Sequence, residues 1–182
     1  QFEVDLKGTR SFEEIIIKLK NYSSNKKLSV LRGAGWDQND WDVKDLPNKD
    51  SLDILFPNIP VVLSRIDGHA MLVNQKALDM AGISIKTKSI GGEILRRNGK
   101  LTGLIIDKPM ELIEGIIPRY TKDEKIKALK TAEKICFENG ITTVDEAGLL
   151  KSNILLIDSL QKNKLFSLRV YAMVANEKKS LE

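Results

Sequence analysis

Cysteine and histidine occur once each in this 182-residue sequence, and aromatic residues make up only 5% of it. A single thiol, Cys136, excludes an intramolecular disulfide and any cysteine-based zinc cluster. Set between Ile135 and Phe137 in a helical pattern, it reads as a small buried hydrophobe. A single imidazole, His69, cannot supply a two-histidine metal site, and no Ser-His-Asp or Cys-His set can be assembled around it. No apolar run approaches the roughly 20 residues that cross a bilayer, and the N-terminal stretch lacks the pattern of a signal peptide. These absences favour the cytoplasm without fixing it, because the chain opens at Gln1 with no initiator methionine and reads as an internal piece of a longer protein.

A block of one charge sign is also missing. The 29 Lys and Arg residues are interleaved with 25 Asp and Glu, for a net charge of +4. The largest local groups, Asn25-Lys-Lys27 and Glu177-Lys-Lys179, fall in loop-like or terminal contexts. Such a distribution describes a solvated surface rather than a nucleic-acid face. Gly91-Gly92 is too short for a phosphate loop, and no Gly-Lys-Ser/Thr follows it.

What is present is an ordinary globular composition, 42% hydrophobic and 30% charged, sufficient for one sizeable core or a large piece of a bigger domain. The stretch from Pro60 to Gly82 organises the rest. Pro60-Val-Val-Leu-Ser64 is a β-branched apolar run suited to a strand covered on both faces. Arg65, Asp67 and His69 then alternate, with Gly68 relieving steric limits between them, so a continuing strand would project all three to one side at an edge where a ligand could sit. The alternative is that Asp67 and His69 satisfy a turn. Asn74 to Gly82 reads as a short helix with an N-cap at its start and a glycine at its end.

Upstream, Phe2 to Leu6 predicts a short strand, and Ser11 with Glu14 a capping box opening a helix. Leu28 to Gly33 predicts a strand feeding a polar loop, Ala34 to Trp41. Trp36 and Asp37 in that loop are candidate ligand contacts, and Trp36 and Trp41 are equally suited to plugging a small core. A helix over about 50–56 follows. Strand, helix, strand in this order implies a parallel crossover. Downstream, Asn98-Gly99 between alternating runs signals a hairpin. Thr121 and Glu124 form a second capping box for a helix closed by Gly140. Ile141 to Val144 predicts a strand presenting Asp145 and Glu146 at its C-terminal end, and a helix over 151–161 leads to a strand over 168–174. Helix, strand, helix, strand is the repeating unit of an α/β barrel or open sheet, and barrel enzymes place their chemistry at the carboxyl ends of strands.

Several segments occur together in register: Gly35-Trp-Asp-Gln-Asn-Asp-Trp41, Asp67-Gly-His-Ala70 with Val73-Asn74 and Ala77-Leu78, Ala81-Gly-Ile83, Gly91-Gly-Glu-Ile94 and Gly140-Ile-Thr-Thr-Val144. In order and spacing they resemble amidohydrolase family 3, the YtcJ-like group that includes N-substituted formamide deformylase, over nearly the whole chain. The resemblance implies a metal-dependent hydrolase with a TIM barrel, of zinc type, acting on carbon-nitrogen bonds other than peptide bonds. It implies that a His-x-His pair lies upstream of the segment resembling Phe2 to Leu6. A metal-bridging lysine, two histidines and a catalytic aspartate would lie downstream of the segment resembling Leu168 to Val174. The chain would then be an α/β insertion subdomain, residues 1–120, followed by partial barrel units, residues 121–182, with no metal of its own.

On that reading the insertion walls the pocket of a small-molecule amide-type substrate. His69, Asp67, Arg65, Trp36, Asp37, Asp145 and Glu146 are the candidate substrate contacts, none of them catalytic or metal-binding. One departure stands out. Where the family often reads Val-His-Asp/Glu-Ala-Gly, this chain has Val144-Asp-Glu-Ala-Gly148, placing a carboxylate at Asp145. Severed barrel units would expose strand edges, so association into a homo-oligomer through the C-terminal half is expected. A stand-alone α/β ligand-binding module without catalysis is the rival reading. Neither a membrane nor a nucleic acid is expected as partner.

Overall fold

A computed structural model describes residues 2–176. The chain divides at Pro118–Arg119 into two compact units, each with its own core.

The first unit is built on a mixed sheet of β1 (Val4–Asp5), β2 (Leu31–Trp36), β3 (Val61–Arg65), β4 (Ala70–Val73), β5 (Gly92–Arg97) and β6 (Lys100–Asp107). Its strand order is β1-β2-β3-β4-β6-β5. The first three strands run parallel, as the strand-helix-strand pattern implies, and the remaining neighbours pair antiparallel. Both faces are covered, because alternate residues point to opposite sides. Val61 and Leu63 of β3, Leu72 of β4 and Leu104 of β6 pack with Ile15 and Leu19 of α1 (Phe12–Ser23) and Leu52 of α2 (Asp50–Leu55). Val62, Met71, Val73 and Ile105 turn the other way, onto Ala77 and Leu78 of α3 (Gln75–Met80) and Ile113 of α4 (Met110–Glu114).

Asn74 knots these layers together. Fully buried as the N-cap of α3, it accepts from the amides of Val61 and Ala77 and donates to the carbonyls of Phe56 and Ile59. All of its hydrogen-bonding capacity is thereby matched inside the core, as a buried amide requires. The β5–β6 hairpin turns at Asn98 and Gly99, both with positive φ (51° and 72°), the conformation that makes this dipeptide favourable.

The second unit comprises α5 (Lys122–Glu138), β7 (Thr143–Leu149), α6 (Lys151–Lys162) and β8 (Arg169–Val174), with β7 and β8 paired in parallel. Thr121 and Glu124 complete the expected capping box. In α1 the box is only half made: Ser11 Oγ accepts from the Glu14 amide, while the Glu14 carboxylate reaches past Ser11 to the amide of Arg10. Val144 and Val170 face Leu129, Ile157, Leu160 and Phe166. Cys136 is half-buried beside this cluster rather than sealed within it.

Several expectations are corrected. The predicted strand over 28–33 begins three residues later and runs on to Trp36, taking Ala34 to Trp36 out of the polar loop. Gly35, at φ 98°, sits where the β2–β3 register shifts. The extra residue swings Trp36 onto the same face as Leu31. The run Arg65 to His69 is not a strand continuation. It turns over 66–69 into β4, with Gly68 at φ 74° and its amide donating to the Arg65 carbonyl, so period-two alternation does not set its side chains. Asp145 and Glu146 lie within β7 rather than past its end, because Ala147 to Leu149 continue the pairing with β8.

Candidate functional site

In the first unit β2 and β3 run parallel, and β6 shares their direction because it is antiparallel to β4, itself antiparallel to β3. Their carboxyl ends therefore lie at one edge of the sheet. There the chain gathers Asp37 after β2, Arg65 closing β3, Asp67 and His69 in the turn, and Asp107 closing β6.

Arg65 grips Asp67 in a bidentate pair, Nε to Oδ1 at 2.9 Å and Nη2 to Oδ2 at 2.7 Å. Asp67 Oδ1 also accepts from the His69 backbone amide at 3.1 Å. The side-chain hydrogen bonds from Arg65 are the main reason the Asp67 carboxyl is lowered to about 2, and the His69 amide adds to the effect. Asp67 in turn raises the Arg65 guanidinium above its ordinary value, and Asp37 and Asp107 reinforce it through space. The two charges are spent on each other. Their joint effect is to hold the turn in one shape, and the alternative in which Asp67 satisfies a turn describes its placement.

His69 is what that turn displays. Its side chain is 71% exposed, and Nδ1 lies 2.8 Å from Asp107 Oδ1. The imidazole is thus exposed beside a carboxylate, that of Asp107. The Asp107 amide also donates to the His69 carbonyl at 3.1 Å, so one residue holds the other by backbone and side chain together. Asp107 does this at φ 56°, in the left-handed region that an aspartate tolerates better than most residues.

Asp37 is partly committed, its Oδ1 accepting from the amide and side chain of Asn39 to cap a short 3-10 turn over Gln38–Asp40. Trp36, expected among the substrate contacts, is corrected to a core residue. It is 1% exposed, packs at a tilt against Trp41 with ring centroids 6.0 Å apart, and donates from Nε1 to the Leu63 carbonyl at 2.9 Å. Asp145 and Glu146 belong to the second unit, both exposed, and as neighbours on one strand they face opposite ways. The structure thus brings together Asp37, Arg65, Asp67 and His69. Sequence reasoning missed Asp107. The hairpin signal at Asn98-Gly99 does not say which strand the second arm pairs with, and only the β4–β6 pairing sets Asp107 opposite His69.

This edge is a hydrogen-bonding surface rather than a metal cage. Among the described residues no group of three or more His, Cys, Asp or Glu side chains is arranged to hold a metal ion. Both Asp67 oxygens are engaged by Arg65 and the His69 amide, and His69 has one ring nitrogen beyond its bond to Asp107, so the described residues do not make up a ligand set for such an ion. Among the same residues no helix is long and apolar enough to cross a membrane.

The chain belongs to the amidohydrolase family, whose sequence model matches residues 2–180. It is 37% identical over 149 residues to Protein LONG AFTER FAR-RED 3 of Arabidopsis thaliana, covering 80% of this chain and 25% of that protein. It is also 37% identical over 145 residues to YtcJ of Bacillus subtilis (strain 168), which carries an amidohydrolase name, covering 78% of this chain and 27% of that one. Among solved structures it is similar to an uncharacterized metal-dependent hydrolase from Pyrococcus horikoshii OT3, with a TM-score of 0.64 and 25% identity, covering 94% of this chain and 32% of that one. A second, from Pyrococcus furiosus, has a TM-score of 0.62 at 21% identity and shares the fold. The chain spans about a quarter of the length of the curated relatives it matches.

Proposed function

We propose that this chain is part of a metal-dependent hydrolase that cleaves carbon-nitrogen bonds other than peptide bonds in a small-molecule amide. The observation that carries this reading is the family match over residues 2–180, nearly the whole chain, joined to relatives about four times its matched length. The metal, of zinc type, would be held by residues outside the matched segment, since the residues described here do not form a ligand set. When bound, such an ion lowers the pKa of its water to make a nucleophile at neutral pH.

The contribution of this chain is to hold and orient. The first unit acts as an insertion beside the pocket, with His69 displayed by the Arg65–Asp67 turn and steadied by Asp107. The second unit supplies parallel strand-helix-strand repeats of a TIM barrel, consistent with the β7–α6–β8 order and parallel pairing.

The test is to express the complete reading frame that contains this sequence and assay secondary amides and N-substituted formamides before and after chelation. Turnover lost on chelation and restored by zinc supports the proposal. The 182-residue chain alone, after exhaustive dialysis, is expected to retain no stoichiometric zinc and hydrolyse no amide. One zinc per chain in that preparation would overturn the placement of the ligands. A full-length protein that binds amides without cleaving them would favour the non-catalytic module instead.

A further inference from the structure

The His69–Asp107 pair has a chemical consequence that neither residue has alone. An ionised carboxylate can only accept, so at 2.8 Å from Asp107 Oδ1 the nitrogen Nδ1 must carry the proton. Which ring nitrogen is protonated is set by the hydrogen bond the other makes. In the neutral ring this leaves Nε2 with a bare lone pair. Free imidazole side chains in water favour the opposite tautomer, so the bias belongs to Asp107. The pair spans 38 residues of sequence and is closed twice, through the carboxylate and through the backbone bond from the Asp107 amide to the His69 carbonyl. The turn presenting the ring is locked separately by Arg65 and Asp67. With the imidazole 71% exposed at the carboxyl edge of the sheet, its free nitrogen is open to a ligand.

We propose that Asp107 is a positioning residue that fixes His69 as a hydrogen-bond acceptor at Nε2, and that the group His69 receives is the N–H of a secondary amide. The substrate class rests on the hydrolase reading above; the tautomer does not. An acceptor at this position selects amides that retain an N–H over their N-alkylated counterparts, which have nothing to donate. A site of opposite polarity, a protonated ring donating to a carbonyl, would not distinguish the two.

His69 is the sole histidine, so a single imidazole spin system in the 15N-labelled chain reports the tautomer without assignment ambiguity. Above the titration of the ring, wild type is expected to show a protonated Nδ1 and an unprotonated Nε2. Asp107→Gly keeps the left-handed backbone and removes the carboxylate, so it is expected to shift the major form to Nε2–H. Asp107→Asn, which retains an acceptor oxygen, is expected to fall between. A wild-type ring protonated mainly at Nε2 overturns the proposal whether or not the variants fold, and so does a ratio unchanged in folded Asp107→Gly.

In the full-length protein, acetanilide and N-methylacetanilide are the ligand probes. Wild type is expected to bind the first at least several-fold more tightly, and His69→Ala to abolish the difference. Equal binding by wild type overturns the substrate class. Preferential binding with the stated tautomer, in a protein that turns over none of the secondary amides and N-substituted formamides assayed above, would fail the hydrolase reading and leave the acceptor site standing.

Discussion

The two units solve the same problem of covering a sheet to different degrees. In the first, both faces of six strands are packed, and Leu6, Leu19, Leu31, Leu52, Leu63, Val73 and Ile105 are each fully buried. In the second, two parallel strands have one face against α5 and α6, while Tyr171 and Met173 on the other face are 65% and 43% exposed. The polar tie in each unit follows suit. Asn74 satisfies four backbone groups at zero exposure. Glu133, half-buried on α5, receives the amides of Ser167 and Leu168 ahead of β8. A parallel pair is ordinarily covered on both faces, and here one of the two is left open.

The contrast is measurable because both tryptophans, Trp36 and Trp41, belong to the first unit and report on it alone. The largest expected effect is from Asn74→Ala, which strands two amides and two carbonyls in the core. Counting about 1–3 kcal/mol for each buried group left unpaired and allowing for relaxation, the loss is about 4 kcal/mol. Urea unfolding followed by tryptophan fluorescence should show it, and a loss under about 1 kcal/mol would refute the knot assigned to Asn74. Next is Leu63→Ala, a cavity in the same core, at about 3 kcal/mol on the same signal.

Glu133→Ala should cost about 1–2 kcal/mol by removing the acceptor of the Ser167 and Leu168 amides. It should lower the helical circular dichroism transition while the fluorescence midpoint holds. A shift in both signals together would mean that the units unfold as one.

Association through the open β7–β8 face comes next in size. The 182-residue chain is expected to sediment as a concentration-dependent oligomer, and Tyr171→Asp with Met173→Lys to return it toward monomer. A strict monomer at high concentration would break the argument from exposure.

The smallest effect is electrostatic and confined to the Arg65–Asp67 turn. The Asp67 carboxyl is depressed, from an ordinary 3.8 to about 2, so its contribution to stability is present above pH 3.8 and is lost as pH falls through about 2. Side-chain carboxyl titration by NMR should place the midpoint near 2, and Arg65→Leu should return it toward 3.8. A midpoint unmoved by that substitution would deny Arg65 its role. Because Asp67 is 42% exposed, the effect on global stability is small.

Much of the architecture was legible in the sequence where local chemistry suffices. The Asn98-Gly99 turn, the Thr121–Glu124 capping box and the Asn74 N-cap each depend on residues within a few positions of one another, and each formed as expected. The site was legible in part. Arg65, Asp67 and His69 do meet at a sheet edge, but by a turn that the period-two pattern could not distinguish from a strand, since four residues of β4 carry no alternation of polarity. Trp36 was ambiguous for a related reason: a one-residue bulge at Gly35 reverses the face of everything after it, and strand periodicity cannot register an insertion.

What the sequence alone determined, then, are the elements whose hydrogen bonds close locally and the family to which their order belongs. Asp107, 38 residues from His69, was decided only by tertiary structure. Its place beside the imidazole follows from the pairing of β4 with β6. Strand register is a long-range contact, set by which apolar residues the two cores accept, and no window of sequence contains it.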